Sequence, residues 1–352
     1  MHRLLVASLF VLLLRVIPSF AQQYDLRTLS LEQGLPSMGI NALCLDHEGF
    51  LWVGTMLGAA RCDGSRFETV AGTENREVTA LLCDHNGVVW IGTANRRVGR
   101  WVDEHFAYMN TAKGSAAITS FCETEQGIYW STAGDGVLWM KDVEGAAVQL
   151  KSGFSSLIVR TLVCDADQRV IAGTDSGPFE LKGDTWTPLE ASKALPRSRV
   201  NTLFADSSGV LIGTDAGFAE LDRKLLPPPL TQRFLGAYPI SLPDVHATAI
   251  LRATNGDIWM GTPSGLLHLS REGGVPTLRS IRSTNGLGHD QVRCLLEDRS
   301  GVIWIGTGFG GLSRFTSEAF LHFTDRDGLG SRTVTAIHRT PDHLLYLATA
   351  GG

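Results

Sequence analysis

The chain has 352 residues, 43% of them hydrophobic and 19% charged, with 39 glycines and a formal net charge of −5. This acidic balance excludes the electrostatic footprint of a nucleic-acid binder. Glycines scattered among apolar residues describe many short strands and tight turns rather than long helices.

The first segment has the layout of an export signal. His2 and Arg3 precede an apolar run from Leu4 to Ile17, and Ser19-Phe20-Ala21 offers the small residues that a signal peptidase requires, so cleavage is expected after Ala21. A membrane anchor needs about 20 apolar residues, whereas Arg15 breaks this run after eleven. Residues 1–21 are therefore assigned to a leader, and the chain is expected to be exported to the periplasm.

Beyond the leader one phrase returns from end to end. It reads Leu51-Trp52-Val53-Gly54-Thr55, Val89-Trp90-Ile91-Gly92-Thr93, Tyr129-Trp130-Ser131-Thr132, Val170-Ile171-Ala172-Gly173-Thr174, Val210-Leu211-Ile212-Gly213-Thr214, Ile258-Trp259-Met260-Gly261-Thr262, Ile303-Trp304-Ile305-Gly306-Thr307 and Leu345-Tyr346-Leu347-Ala348-Thr349. Successive copies lie 38, 39, 42, 40, 48, 45 and 42 residues apart, a mean of 42. That period suits four-stranded propeller blades.

Each unit divides into strands. An alternating run such as Ile40 to Leu45 ends in Asp46-His47-Glu48-Gly49, a hairpin turn in which Gly takes the positive φ, and the phrase itself follows as a second strand. Third strands follow Gly-Thr, as in Gly265 to Leu269, and outer strands follow those, as in Phe320 to Phe323. A blade cannot cover both of its faces alone, and radial packing solves this. Trp52, Trp90, Trp259 and Trp304 share one phase of the repeat and are expected to fill the wedges between blades, alternating with exposed neighbours. Leu225 to Leu230, with three consecutive prolines, is expected to be a loop inserted between blades 5 and 6.

The fold class expected is all-β, a β-propeller of seven blades with an incomplete eighth repeat, the alternative being an eight-bladed ring. In the seven-bladed reading the opening strand around Arg27-Thr28-Leu29 closes the seventh blade. Residues 22–325 then form the propeller, and 326–352 begin a further blade, with Thr333 to His338 and Leu344 to Thr349 as its first two strands. Because that start leaves a strand edge unpaired, Gly352 is not expected to end a self-sufficient protein.

The signature is densest in Asn285-Gly286-Leu287-Gly288, Cys294-Leu295-Leu296-Glu297-Asp298, Gly301 to Thr307 and Gly310-Gly311-Leu312, and Gly34-Leu35-Pro36 and Gly328-Leu329-Gly330 repeat its bend. From about Tyr24 onward the chain resembles the two-component-regulator propeller repeat family, most clearly at its two ends. That resemblance implies the periplasmic sensor region of a bacterial receptor, followed in such receptors by a small β-sandwich, a transmembrane helix and a histidine kinase or diguanylate cyclase output domain. It further implies an oligosaccharide or other small ligand, and signalling through a homodimer. No sandwich, transmembrane helix or output segment is expected within these 352 residues, so the output is expected in a missing part of the protein or in another chain.

Catalytic phrases are missing. The sequence has no Gly-x-Ser-x-Gly elbow, no His-Glu-x-x-His and no phosphate-binding loop, and no cofactor or metal is expected. Asp46-His47-Glu48 and Asp84-His85-Asn86 occupy the same turn of the repeat, where Asp caps the backbone. The loops after Gly-Thr gather at one mouth of the channel, a usual place for a ligand. They supply Asn95, Arg96, Asp135, Asp175, Asp215 and Phe309, a mixture that suits a sugar but that solvated turns also use. The function expected is a ligand-sensing module and not an enzyme; the alternative is a polysaccharide lyase or glycosidase, with the three aspartates converging on substrate. The cysteines are expected to be free thiols. Cys44, Cys122 and Cys294 fall on one face of their strands and Cys83 and Cys164 on the other, so neighbouring blades are expected seldom to offer sulfurs to each other.

Overall fold

The computed structural model describes residues 26–109, 116–141, 147–150, 152–154, 156–189, 199–222, 245–272, 275–316, 328–331, 333–340 and 345–351. The leader, the proline-rich segment from Leu225 to Leu230 and the strand assigned to Phe320 through Phe323 lie outside the described residues.

Seven antiparallel sheets form the blades. Blade 1 contains Ile40–Leu45, Leu51–Thr55, Gly58–Cys62 and Phe67–Thr69; blade 2 contains Val78–Cys83, Val89–Thr93, Val98–Val102 and His105–Tyr108. Blade 3 contains Ile118–Thr124, Gly127–Thr132, Val137–Met140 and Val148–Leu150; blade 4 contains Val159–Cys164, Val170–Thr174, Gly177–Lys182 and Thr185–Pro188. Blade 5 contributes Val200–Ala205, Gly209–Thr214 and Gly217–Asp222 among the described residues, and blade 6 has Ala249–Arg252, Ile258–Thr262, Gly265–Glu272 and Val275–Ile281. Blade 7 joins Val292–Glu297, Ile303–Thr307 and Leu312–Phe315 to the N-terminal strand Leu26–Leu29, which pairs in the register Leu26↔Phe315 to Leu29↔Leu312. The first strand of each blade touches the first strand of the next, and blade 7 returns to blade 1, so the ring is closed. Seven blades with an N-terminal closing strand is the arrangement expected from the repeat.

The chain divides into two compact units, residues 24–320 and a second comprising residues 1–23 and 321–352. In the second unit Val334–Arg339 pairs with Leu345–Thr349 and repeats the register shift seen inside the blades. Among the described residues there is no α-helix, and no helix is long and apolar enough to cross a membrane.

The core is not a single mass. Buried residues gather in seven described clusters, one at each blade interface. Trp52, Trp90, Trp259 and Trp304 are 1%, 0%, 2% and 6% exposed. Their neighbours on the strand are buried too, where alternation with exposed residues was expected, because a middle strand is covered by a blade on each side. In blade 3 the phase changes carriers: Tyr129 pairs with Cys122 as Trp52 pairs with Cys44, and Trp130 packs toward blade 2.

The repeated Gly-Thr has two separate causes. A Cβ on Gly54 would lie 2.7 Å from Val78 Cγ1, and one on Gly306 2.7 Å from Ile40 Cγ2, so glycine lets the next blade's first strand approach. The threonine hydroxyl closes the turn behind it, as when Thr55 Oγ1 donates to the Gly58 carbonyl at 2.7 Å and Thr262 Oγ1 to that of Gly265 at 2.8 Å. At the other end of the blade, Asp46 Oδ1 accepts from the backbone N–H of Glu48 and Phe50 while Oδ2 accepts from Trp52 Nε1 at 2.8 Å. Asp84 holds Trp90 and Asp298 holds Trp304 in the same way, each at 2.8 Å. One carboxylate thus fixes both the hairpin and the wedge-filling indole. Burial pushes the Asp298 carboxyl up, but hydrogen bonds from Ser300, Trp304 and the Ser300 and Val302 amides outweigh it and hold the group below the usual carboxylate range.

One cysteine expectation is overturned. Cys122 and Cys164, in blades 3 and 4, form a disulfide with Cα atoms 5.7 Å apart. Blades stack front to back, so opposite strand parity in consecutive blades is what turns two sulfurs toward each other. Closing a loop of this length stabilises the chain by about 4 kcal/mol in the chain-entropy account. Cys44, Cys62, Cys83 and Cys294 are thiols.

Candidate functional site

The mouth is built by a β-bulge repeated around the ring. Between the first and second strands the register shifts at Ile40/Ala42, Val78/Ala80, Ile118/Ser120, Val159/Thr161, Val200/Thr202 and Val292/Cys294. A bulge re-aims the extra side chain, here Asn41, Thr79, Thr119, Arg160, Asn201 and Arg293, with Thr248 in the equivalent place of blade 6. In blades 1, 2, 3 and 6 that side chain reaches the next blade's backbone: Asn41 Nδ2 donates to the Val78 carbonyl, Thr79 Oγ1 to Ile118, Thr119 Oγ1 to Val159 and Thr248 Oγ1 to Val292, at 3.0, 2.6, 2.7 and 2.6 Å. These bonds latch one blade to the next.

Blades 4 and 5 use the same position differently. Arg160 Nε donates to Asp175 Oδ1 at 2.7 Å, and Asn201 Nδ2 donates to Asp215 Oδ1 at 2.8 Å. Arg199, on the segment entering blade 5, lies between the two carboxylates at 3.2 Å from Asp175 and 3.8 Å from Asp215. His246, entering blade 6, places Nδ1 3.1 Å from Asp215. The result is an arc across three blades in which Arg160, Asp175, Arg199 and Asp215 alternate in sign and the His246 imidazole adjoins the last carboxylate. Its side chains are 29% to 45% exposed, open enough to meet a ligand and too wet to contribute much to stability.

A second group lies where blade 7 meets blade 1. Phe309 is 59% exposed, with the Arg293 guanidinium 5.6 Å from its ring centroid and the His289 ring edge-on at 5.5 Å. Arg293 also donates to Asn41 Oδ1 at 2.6 Å. An exposed aromatic with a cation over one face offers both an apolar and a charged contact.

The six loop residues expected at the mouth therefore divide. Asp175 and Asp215 come together through Arg199, and Phe309 joins Arg293. Asp135 binds its own surroundings, accepting from the Ala116 N–H at 2.8 Å while its backbone N–H donates to Thr132 Oγ1. Asn95 accepts from Thr93 Oγ1 at 2.7 Å, and Arg96 sits at φ +75°; both are exposed turn residues of blade 2. Sequence reasoning missed Arg160, Arg199, Asn201, His246 and Arg293. Part of their signal was present: Arg160, Asn201 and Arg293 are second in their first strands, where blades 1, 2 and 3 have Asn41, Thr79 and Thr119, while Arg199 immediately precedes the first strand of blade 5 and His246 lies three residues before that of blade 6. Among the described residues no group of three His, Cys, Asp or Glu is placed to hold a metal ion.

Four-stranded blades closed by the N-terminal strand, around a mouth of bulged side chains, define a seven-bladed β-propeller. The family described as Two component regulator propeller matches residues 34–56, 72–95 and 286–309, the second-strand phrase and its preceding turns in blades 1, 2 and 7. The chain carries repeats of the two-component-regulator propeller family. Among solved structures it is similar to the extracellular domain assigned to the hybrid two component system BT3049 of B. thetaiotaomicron, with a TM-score of 0.73 and 19% identity over 94% of this chain and 47% of that one. A second extracellular domain from that organism, of system BT4673, matches with a TM-score of 0.69 and 17% identity over 93% of this chain and 44% of that one. The chain spans about half the length of these two. Virginiamycin B lyase from Staphylococcus aureus shares the fold with a TM-score of 0.65 and 12% identity, over 84% of this chain and all of that one. Compared by sequence with curated proteins, the chain has no match.

Proposed function

We propose that this chain is the ligand-sensing extracytoplasmic propeller of a bacterial two-component-type receptor, and that the arc at the mouth of blades 4 to 6 holds an oligosaccharide or similarly polar ligand. The alternating charges of Arg160, Asp175, Arg199 and Asp215, with the His246 imidazole beside them, carry this reading. Planar guanidinium donors and carboxylate acceptors, spaced across three blades, match the hydroxyl pattern of a sugar, and Phe309 offers a ring face for stacking. Similarity to extracellular domains of hybrid two component systems supports the receptor context. The Cys122–Cys164 disulfide supports export, since such bonds persist in oxidising compartments. In this reading residues 1–21 direct export to the periplasm, and a histidine kinase or diguanylate cyclase output, reached through a homodimer, receives the signal.

The rival reading, a lyase or glycosidase, is favoured by one contact, the imidazole of His246 beside Asp215. Binding is the better account because both carboxylates already accept from guanidinium or amide donors, an arrangement for holding polar groups rather than delivering a proton. Calorimetry of the purified chain against an oligosaccharide panel, with chromatography of the sugars afterwards, is the test. Saturable heat with intact sugars supports the sensor; steady appearance of reducing or unsaturated ends establishes the enzyme.

A further inference from the structure

Cys44 and Cys83 are thiols of blades 1 and 2, yet they repeat the placement of the Cys122–Cys164 pair. Counted from Ile40, Val78, Ile118 and Val159, the first residues of four consecutive first strands, Cys44 and Cys122 are fifth while Cys83 and Cys164 are sixth. All four strands carry the same bulge after their first residue, so they enter their interfaces in one phase. Fifth-position side chains face the following blade and sixth-position side chains the preceding one. Cys122 and Cys164 accordingly share the apolar cluster of blades 3 and 4, and Cys44 and Cys83 share that of blades 1 and 2. Burial, then the neighbouring Cys83 and Asp46, pushes the Cys44 thiol well above its ordinary range, consistent with two sulfurs side by side.

We propose that Cys44 and Cys83 are a second disulfide site, which stitches blade 1 to blade 2 as Cys122–Cys164 stitches blade 3 to blade 4. The oxidant is a disulfide donor such as glutathione disulfide. Cys83 is the more open of the two thiols and reacts first. Its thiolate attacks one sulfur of the donor, forming a mixed disulfide and expelling one donor thiolate, which is protonated. Cys44 then loses its proton to solvent and attacks the Cys83 sulfur, expelling the second donor thiolate. Two electrons and two protons pass from the pair to the donor, which leaves as two thiols. Cys62 lies on a third strand, and Cys294, third in its first strand, faces blade 1, where the sixth position is Leu45 and not a cysteine. Burial pushes the Cys294 thiol up to about 12.

The experiment uses the whole unmodified chain, equilibrated in buffers of rising glutathione disulfide content, then denatured, alkylated without reductant and mapped by peptide mass spectrometry. The expected result is a Cys44–Cys83 linked peptide alongside Cys122–Cys164, with alkyl label on Cys62 and Cys294. The proposal is overturned if Cys122–Cys164 forms while Cys44 and Cys83 both take the label, if either pairs with Cys62 or Cys294, or if neither bond forms at the most oxidising ratio. In Cys44→Ser the label should move onto Cys83 with Cys122–Cys164 intact. Loss of both bonds in that variant would also count against independent stitches.

Discussion

Blades 1, 2 and 7 and blades 4 and 5 solve the same packing problem with different chemistry. In the first group an aspartate in the hairpin turn holds the indole of a buried tryptophan, and the family signature is strong. In blades 4 and 5 Ile171 and Leu211 take the tryptophan's place, both fully buried, and the turn carboxylates Asp165 and Asp206 instead bind Arg169 and Arg252. The same blades carry the ion pairs of the mouth. Blades 1 and 2 thus use the bulge position to latch onto the next blade, blades 4 and 5 place ion-paired or amide groups there, and blade 7 combines the buried tryptophan with a polar group at the mouth in Arg293.

The sharpest way to break this contrast is to remove an indole. Trp90→Ala should cost about 3 to 5 kcal/mol, whereas Ile171→Val should cost about 0.5 to 1.5. Denaturant curves read both, and equal losses would mean the two groups of blades are not distinct. Next comes the carboxylate itself. Asp84→Ala leaves Trp90 Nε1 and two turn amides without their acceptor and should cost about 1 to 3 kcal/mol.

The comparison is sharpened at the mouth. Arg199→Ala should change stability by less than about 1 kcal/mol, because its partners are solvated, yet weaken oligosaccharide binding at least tenfold in calorimetry. A large stability loss with unchanged binding would make the arc a latch. The smallest effect expected is a pH dependence. Glu123 of blade 3 hydrogen-bonds His85 of blade 2 and raises its pKa above the ordinary value. The stabilisation is therefore complete below the ordinary histidine pKa and disappears as pH rises through the raised one. Unfolding of native chain and His85→Ala should differ below the ordinary histidine pKa and converge once the pH has passed the raised one. For Asp298, whose folded pKa is depressed, the sign reverses: its contribution is present above the ordinary carboxylate range and is lost as pH falls through the folded value.

The sequence by itself determined the fold, down to the borrowed N-terminal strand, because a repeat fold states its own period. Turn aspartates, wedge tryptophans and Gly-Thr each serve a local need that recurs every blade, and recurrence makes a local need visible. Half of the mouth was legible on the same terms: Asp175, Asp215 and Phe309 follow Gly-Thr in sequence. Only the tertiary structure decided what those residues meet. Arg199 reaches Asp175 because the segment entering one blade passes the turn of the blade before it, and Arg160 points inward because a bulge breaks the two-residue alternation. The cysteines make the same point. Strand parity was readable from the sequence, but whether opposite parity separates two sulfurs or joins them depends on blades stacking front to back.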